Sequence, residues 1–343
     1  MKDKAIQAIR PLRGVPWETA DPFMFCVHHY DLYPHGNEDL GPAASLTGRR
    51  LGSDFSGKDG WSMYHGDVVP GFPQHPHTGF ETVTLARQGL IDHSDSLGAT
   101  ARFGQGDAQW MTAGNGIVHS EMFPLLNQDA PNPTELFQLW LNLPKQDKQV
   151  PPYFTMFWRN TIPTHSFTDS EGHTTTVTTV AGALEGKQPP SPPPNSWASR
   201  PEAHIAIWTI KLAPHASWVL PGASSSELNR SLYFFKGESL EIAGQSVSSN
   251  NRIILHADAE VSLKNGSEES ELLLLQGKPI GEPVAQHGPF VANTREELQE
   301  AFYRYRKTGF GGWPFDSDAP THERTKGRFA IHADGTTEEA PKD

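Results

Sequence analysis

From about Asp21 to Leu143 the chain is a succession of short apolar stretches cut by Gly, Pro and Asp. An amphipathic helix needs an apolar stripe recurring about every 3.6 residues over several turns, and these stretches are too short and too often broken to supply one. Strands need only a few apolar positions between turns, so the pattern predicts a β-sandwich or barrel. Phe80 to Leu85 reads as a strand that ends before Gln88-Gly89. Trp110-Met111 and Ile117-Val118 flank Ala113-Gly114-Asn115-Gly116, which reads as a tight hairpin-like turn. Leu136 to Leu143, LFQLWLNL, is apolar enough for a buried strand.

The same texture returns later. A chain of 343 residues suggests about two domains of ~150 residues each, and the spacing predicts residues 1–147 and 148–312, with the junction near Pro144 to Val150. Strands are expected at Ile205 to Leu212, Ser231 to Phe235, Ile253 to Leu255 and Leu272 to Leu275. The segment 186–197, GKQPPSPPPNSW, reads as an exposed loop or linker, because its prolines lack backbone donors and hold the chain extended. Asn293-Thr294 before Arg295-Glu296-Glu297 is a helix start with an acidic first turn. That helix should span 295–307, carry Leu298, Phe302 and Tyr305 as its apolar stripe, and stop near Gly309. Residues 313–343 are polar and aperiodic, which predicts a loosely held tail.

The net charge of −12 argues against direct nucleic-acid binding, since an acidic chain repels phosphate. Cys26 is the single cysteine, which excludes an intramolecular disulfide and thiolate zinc sites. The first residues contain no apolar signal-peptide stretch, and no run of ~18 apolar residues occurs to span a membrane. The expectation is a cytoplasmic monomer.

Two segments carry chemistry. GFPQHPHTGFETVTLARQG, Gly71 to Gly89, contains His75 and His77, and GDAQWMTAGNGIVHSE, Gly106 to Glu121, contains His119 and Glu121. Residues two apart on a strand share a face, so two neighbouring strands could surround one ion with these four side chains. Three imidazoles and a carboxylate suit Fe, Mn, Ni, Cu or Zn. A lone H-x-H more often marks surface histidines; the second pair and the intervening glycines strengthen the metal reading. Glu81, four residues after His77, has the same strand parity, and spacing alone does not choose between it and Glu121. His28, His29, His35, His65 and His93 read as turn, packing or pocket-edge residues.

The spacing G-x3-H-x-H-x3-E-x7-G followed by G-x7-G-x4-H resembles the two cupin motifs. HPHTGFETVT (His75 to Thr84), DSLG (Asp95 to Gly98), the block Gly106 to Met122, LFQLWLNLPKQDK (Leu136 to Lys148), VTTVAG (Val177 to Gly182) and the run Glu271 to Thr294 more narrowly resemble the pirin family. That resemblance covers most of the chain. It implies an all-β bicupin, two cupin-type antiparallel β-barrels with a C-terminal helix, of which only the first holds metal. It also implies His75, His77, His119 and Glu121 as the ligands, with Glu81 supporting them. Thr78 departs from the pattern, since pirins commonly carry Arg there; the proline-rich insert is a second departure.

Two functions follow from the resemblance. One is iron-dependent ring opening of flavonols such as quercetin with O2, in which Glu121 serves as general base beside Fe(II). The other is a non-enzymatic, redox-sensitive metal protein that regulates a protein partner. Phe72, Phe80, Trp110, Met111, Met122 and Phe123 could build an apolar cleft, although most are expected in the core. The absence of a basic patch or nuclear signal ranks the enzyme first.

Overall fold

The computed structural model describes residues 5–342. They form two compact units. The larger is built from Val27–Asn160 and the described residues from Glu282 onward, and the smaller from the described residues up to Cys26 with Thr161–Gly281. The expected junction at Pro144 to Val150 thus falls inside the larger unit, where Lys145–Asp147 forms a single 3-10 turn. The C-terminal helix also lies in the larger unit rather than with the C-terminal strands.

The larger unit holds a two-stranded sheet, Ala285–His287 with Phe290–Ala292, and two large antiparallel ones. One has five strands in the order Tyr153–Phe157, Asp107–Thr112, Phe80–Gln88, Asn132–Asn142, Phe23–Tyr33. The other has six, in the order Thr337–Glu339, Phe329–Ile331, Thr100–Gly104, Leu90–Asp95, Ile117–Met122, Gly71–His77. The all-β cupin architecture is therefore present as facing sheets, not as one closed ring of strands. Ile91 and Phe103 from one sheet join Met111 and Phe154 from the other in a shared apolar cluster.

Asp107–Thr112 and Ile117–Met122 belong to different sheets, so the turn between them is a crossover and not the hairpin that Ala113 to Gly116 suggested. Gly116 has φ +126°, and a Cβ there would lie 2.5 Å from the Phe310 ring. Glycine is needed at that corner both for its conformation and for the close approach of the helix end. The helix runs Arg295–Thr308 as expected, with a Thr294/Glu297 capping box and Gly309 in the left-handed region at its end. Capping of this kind contributes about 1 kcal/mol. Leu298, Phe302 and Tyr305 pack on Val118, Phe290, Ala301 and Phe310.

The polar tail expected to be loose over residues 313–343 is held in its described part, while Asp343 lies outside the described residues. Phe329–Ile331 pairs with Thr100–Gly104, and the fully buried Arg102, bound to both oxygens of Asp92, donates to the carbonyls of His322, Glu323 and Lys326. A three-residue strand and a guanidinium that collects carbonyls leave no periodic trace in the sequence, so polarity alone misled.

The smaller unit pairs a seven-stranded sheet (Ile6–Pro11, Asn251–Leu255, Asn229–Lys236, Ser270–Gly277, Ala206–Leu212, Thr174–Ala181, Thr164–Thr168) with a four-stranded one (Ser217–Leu220, Val261–Asn265, Ser239–Ile242, Gln245–Ser248). The Leu272-to-Leu275 run is buried throughout, while Val261–Asn265 alternates buried and exposed. These are the patterns of a central strand and of a strand with one wet face. Within the proline-rich segment Pro193, Ser196 and Trp197 are buried, so it is seated against the unit instead of fully exposed. Among the described residues no helix is long and apolar enough to cross a membrane.

Candidate metal centre

Gly71–His77 and Ile117–Met122 are neighbours in register, with His75 opposite His119 and Phe72 opposite Glu121 across a bulge. The bulge re-aims the strand so that the imidazoles of His75, His77 and His119 converge. Their ring centroids lie 4.4 to 4.8 Å apart, and one nitrogen from each falls within 4.8 Å of the others. This three-histidine cluster could hold a metal ion.

The chemistry of the cluster fits a metal. His119 is fully buried, and neither of its ring nitrogens has a hydrogen-bond partner. A buried polar group left unpaired costs about 1–3 kcal/mol, and coordination would satisfy one nitrogen. His75 Nδ1 lies 2.8 Å from the Pro73 carbonyl, so Nδ1 carries the proton and Nε2 keeps its lone pair. Burial drives the pKa values of His77 and His119 well below the ordinary imidazole value. His75 keeps part of its surface exposed, yet the protein packed around it brings its pKa to about 4. All three are thus held neutral, the form that ligates.

Glu121 lies beside the cluster, its Oε2 4.0 Å from His119 Nε2. It is 5 % exposed, and the facing sheet holds it. Thr84 Oγ1 is 3.0 Å from Oε1, and Gln138 Nε2 donates to Oε2 at 3.2 Å. Burial raises its pKa, while His93 and the Thr84 and Gln138 bonds pull it back. Thr84 is also 2.5 Å from Gln138 Oε1, and its hydroxyl has one proton to give. When Glu121 is protonated it can donate to Thr84, which then donates to Gln138, so both short oxygen contacts carry a proton in that state.

Glu81 is elsewhere. His77 ends its strand, and Glu81 sits on Phe80–Gln88 in the opposite sheet, so the shared parity has no geometric meaning. Its buried carboxylate accepts from Thr112 at 2.7 Å. His28, His29 and His65 make local bonds to Glu135, Tyr64 and the Gly52 carbonyl. His93 was underestimated from sequence: fully buried, it pairs opposite Glu121, lies with its ring tilted 55° and 5.4 Å from that of His119, and bonds Asp95 at 3.2 Å. The H-x-D spacing of His93 and Asp95 was the available signal. Of the six apolar candidates, Phe80, Trp110, Met111, Met122 and Phe123 are core, and Phe72 alone stays partly exposed. Trp140, also partly exposed, lies 5.6 Å from the His77 ring. Where pirins commonly carry Arg, Thr78 donates to the Gly114 carbonyl, and the Arg304 guanidinium reaches it from the helix at 3.4 Å.

The family model for pirin matches residues 44–141, and the one for the pirin C-terminal cupin domain matches residues 207–311. A pirin-like protein of Solanum lycopersicum is 34% identical over 245 residues, covering 70% of this chain and 77% of its own. Human pirin is 33% identical over 254 residues, covering 72% and 81%. A Pseudomonas aeruginosa protein provisionally named quercetin 2,3-dioxygenase is 32% identical over 242 residues, covering 70% and 79%. In fold, the chain is similar to a crystal structure of quercetin 2,3-dioxygenase from Acinetobacter baumannii, with TM-score 0.65, 24% identity, and coverage of 85% and 87%. With its paired strands, converging imidazoles and this breadth of sequence likeness, the chain belongs to the pirin family.

Proposed function

We propose that this protein is a metal-dependent dioxygenase, most simply an iron enzyme, that opens the ring of flavonols with O2. The observation that carries the reading is the three-imidazole cluster with Glu121 held beside it by Thr84 and Gln138. The provisional name of the Pseudomonas aeruginosa relative supports the same reaction class.

Bound there by His75, His77 and His119, with Glu121 as the fourth ligand, a divalent metal would supply Lewis-acid polarisation of the flavonol oxygens and a place for oxygen. Glu121 accepts the flavonol 3-hydroxyl proton at a carboxylate oxygen. Thr84 and Gln138 hold its two oxygens, which fixes the direction in which the carboxyl faces the substrate. His75 and Phe72 on one sheet and Trp140 and Gln138 on the other retain exposed surface, so they are the side chains available to a flat aromatic substrate. The buried core residues exclude water from the far side of the cluster.

The test is oxygen uptake and carbon monoxide release from quercetin by the iron-loaded protein. Stoichiometric uptake supports the enzyme. A fully iron-loaded protein that consumes no oxygen with any flavonol overturns it. The redox-sensitive metal protein acting on a protein partner then becomes the better reading; the depth at which His77 and His119 are buried already accords with it.

A further inference from the structure

The smaller unit contains a cavity of about 930 Å³ that the proposed reaction does not use. Its wall includes Phe167, Trp208 and Trp218, and Pro189, Pro190 and Pro192 of the proline-rich segment also line it. Trp208 is fixed by bonds from its indole N–H to the carbonyls of Ala181 and Gly182, so its ring is held in place. Proline lacks an N–H and is already extended, so this segment adds apolar surface with little ordering cost and no stray donor. The volume is in the range of small-molecule sites, about 300–1,000 Å³.

Arg230 lines the same cavity and is 2 % exposed. Its two terminal nitrogens donate to the carbonyls of Ala257 and Pro221, at 3.0 and 2.7 Å. Its Nε is buried with no hydrogen-bond partner. Among the described residues no carboxylate forms an ion pair with it, and burial alone brings its pKa down to about 10. Buried guanidinium groups are normally paired, because desolvating the charge is costly. The acidic residue in the lining, Glu185, is exposed, and the exposed His204 also lines the cavity, with Ser224 at 3.2 Å from its Nδ1. A buried cation without an acidic partner, in the wall of a cavity lined by aromatic rings, calls for an anion with a flat apolar body.

We infer that this cavity is a binding site for a small aromatic carboxylate, with the carboxylate on Arg230, the ring against Trp208, Trp218 and Phe167, and the proline segment as a preformed wall. The site is independent of the three histidines. It gives the proline-rich insert a role that a linker would not have.

Isothermal titration of the metal-loaded full chain with 2-naphthoate, and with its neutral isostere 2-naphthamide, tests this. The expected result is one naphthoate per chain, with the amide at least about tenfold weaker because it cannot answer the buried charge. Arg230→Met should weaken naphthoate by a similar factor and leave the amide unchanged. Ala223→Trp, which projects an indole from the lining into the cavity and spares Arg230, should weaken both strongly. His119→Ala should leave naphthoate binding intact, which separates this site from the metal centre. Equal affinity for acid and amide, undiminished binding in Ala223→Trp, loss of binding in His119→Ala, or no saturable naphthoate binding at millimolar concentration would each overturn the proposal. If Arg230→Met does not fold, the amide comparison and Ala223→Trp decide.

Discussion

Inside the smaller unit Leu232, Phe234, Leu272 and Leu274 meet Leu240, Ile242, Val261 and Leu263, and the interior is a continuous apolar cluster. Inside the larger unit the corresponding face-to-face sheets enclose His75, His77, His93 and His119 with Glu121 and Thr84, all but His75 buried. The two interiors obey different physics. The first gains stability from each apolar group removed from water, at about 25 cal/mol per Å². The second holds imidazoles that are neutral only because burial forbids their charge, and a carboxyl whose proton affinity is raised for the same reason. Between the first pair of sheets the packing is apolar throughout, and between the second lie polar groups that destabilise the fold unless a ligand satisfies them.

The sharpest way to break this contrast is Glu121→Gln. It should lower flavonol oxygenation per bound iron by about 100-fold to 10,000-fold, as general-base loss does, while the amide oxygen retains a fraction of the metal. Unchanged turnover per iron removes Glu121 from the base role.

A matched pair of truncations comes next. Leu274→Ala, at a fully buried position of the smaller unit, should cost about 2–5 kcal/mol in urea unfolding and leave metal content unchanged. His119→Ala should strip most of the metal by elemental analysis and shift the unfolding of metal-free protein by less than about 2 kcal/mol, since it also deletes an unpaired buried group. If His119→Ala keeps full metal, or Leu274→Ala loses it, the division of labour between the interiors is wrong.

The pH response should differ too. In metal-free protein the folded-state pKa values of His75, His77 and His119 are lowered, His75 to about 4 from an ordinary 6.5. Between those values the unfolded chain binds more protons than the folded one, so stability falls as pH drops from 6.5 towards 4. Urea midpoints measured across that window should decline in the wild type and decline less in His75→Gln; parallel curves would sink the assignment. The smallest effect is expected from Glu81→Gln. It should retain metal because Glu81 faces Thr112 and stands outside the imidazole cluster. If it loses metal while Glu121→Gln keeps it, Glu81 becomes the carboxylate ligand.

Period-2 spacing, glycine punctuation and the capping signature are local properties, which is why the strands around His75 and His119, the helix Arg295–Thr308 and the three histidines could all be read from the chain. Strand partnership is not local. The sequence could not say that Asp107–Thr112 and Ile117–Met122 would separate into different sheets, or that Glu81 would move to the opposite sheet from His77. Nor could it say that His93 would register against Glu121. The tail was misread because its anchors are backbone carbonyls gathered by Arg102, and backbone groups are the same in every residue. The proline segment and Arg230, about forty residues apart, line one cavity only once the sheets are formed. What the sequence determined by itself was which residues have the chemistry to ligate, cap or turn, because that is written in side-chain type and short spacing. The placing of Glu81 and Glu121 on different sheets, the network around Glu121 and the charge buried at Arg230 depended on contacts between distant segments, which only the packed sheets bring within hydrogen-bonding range.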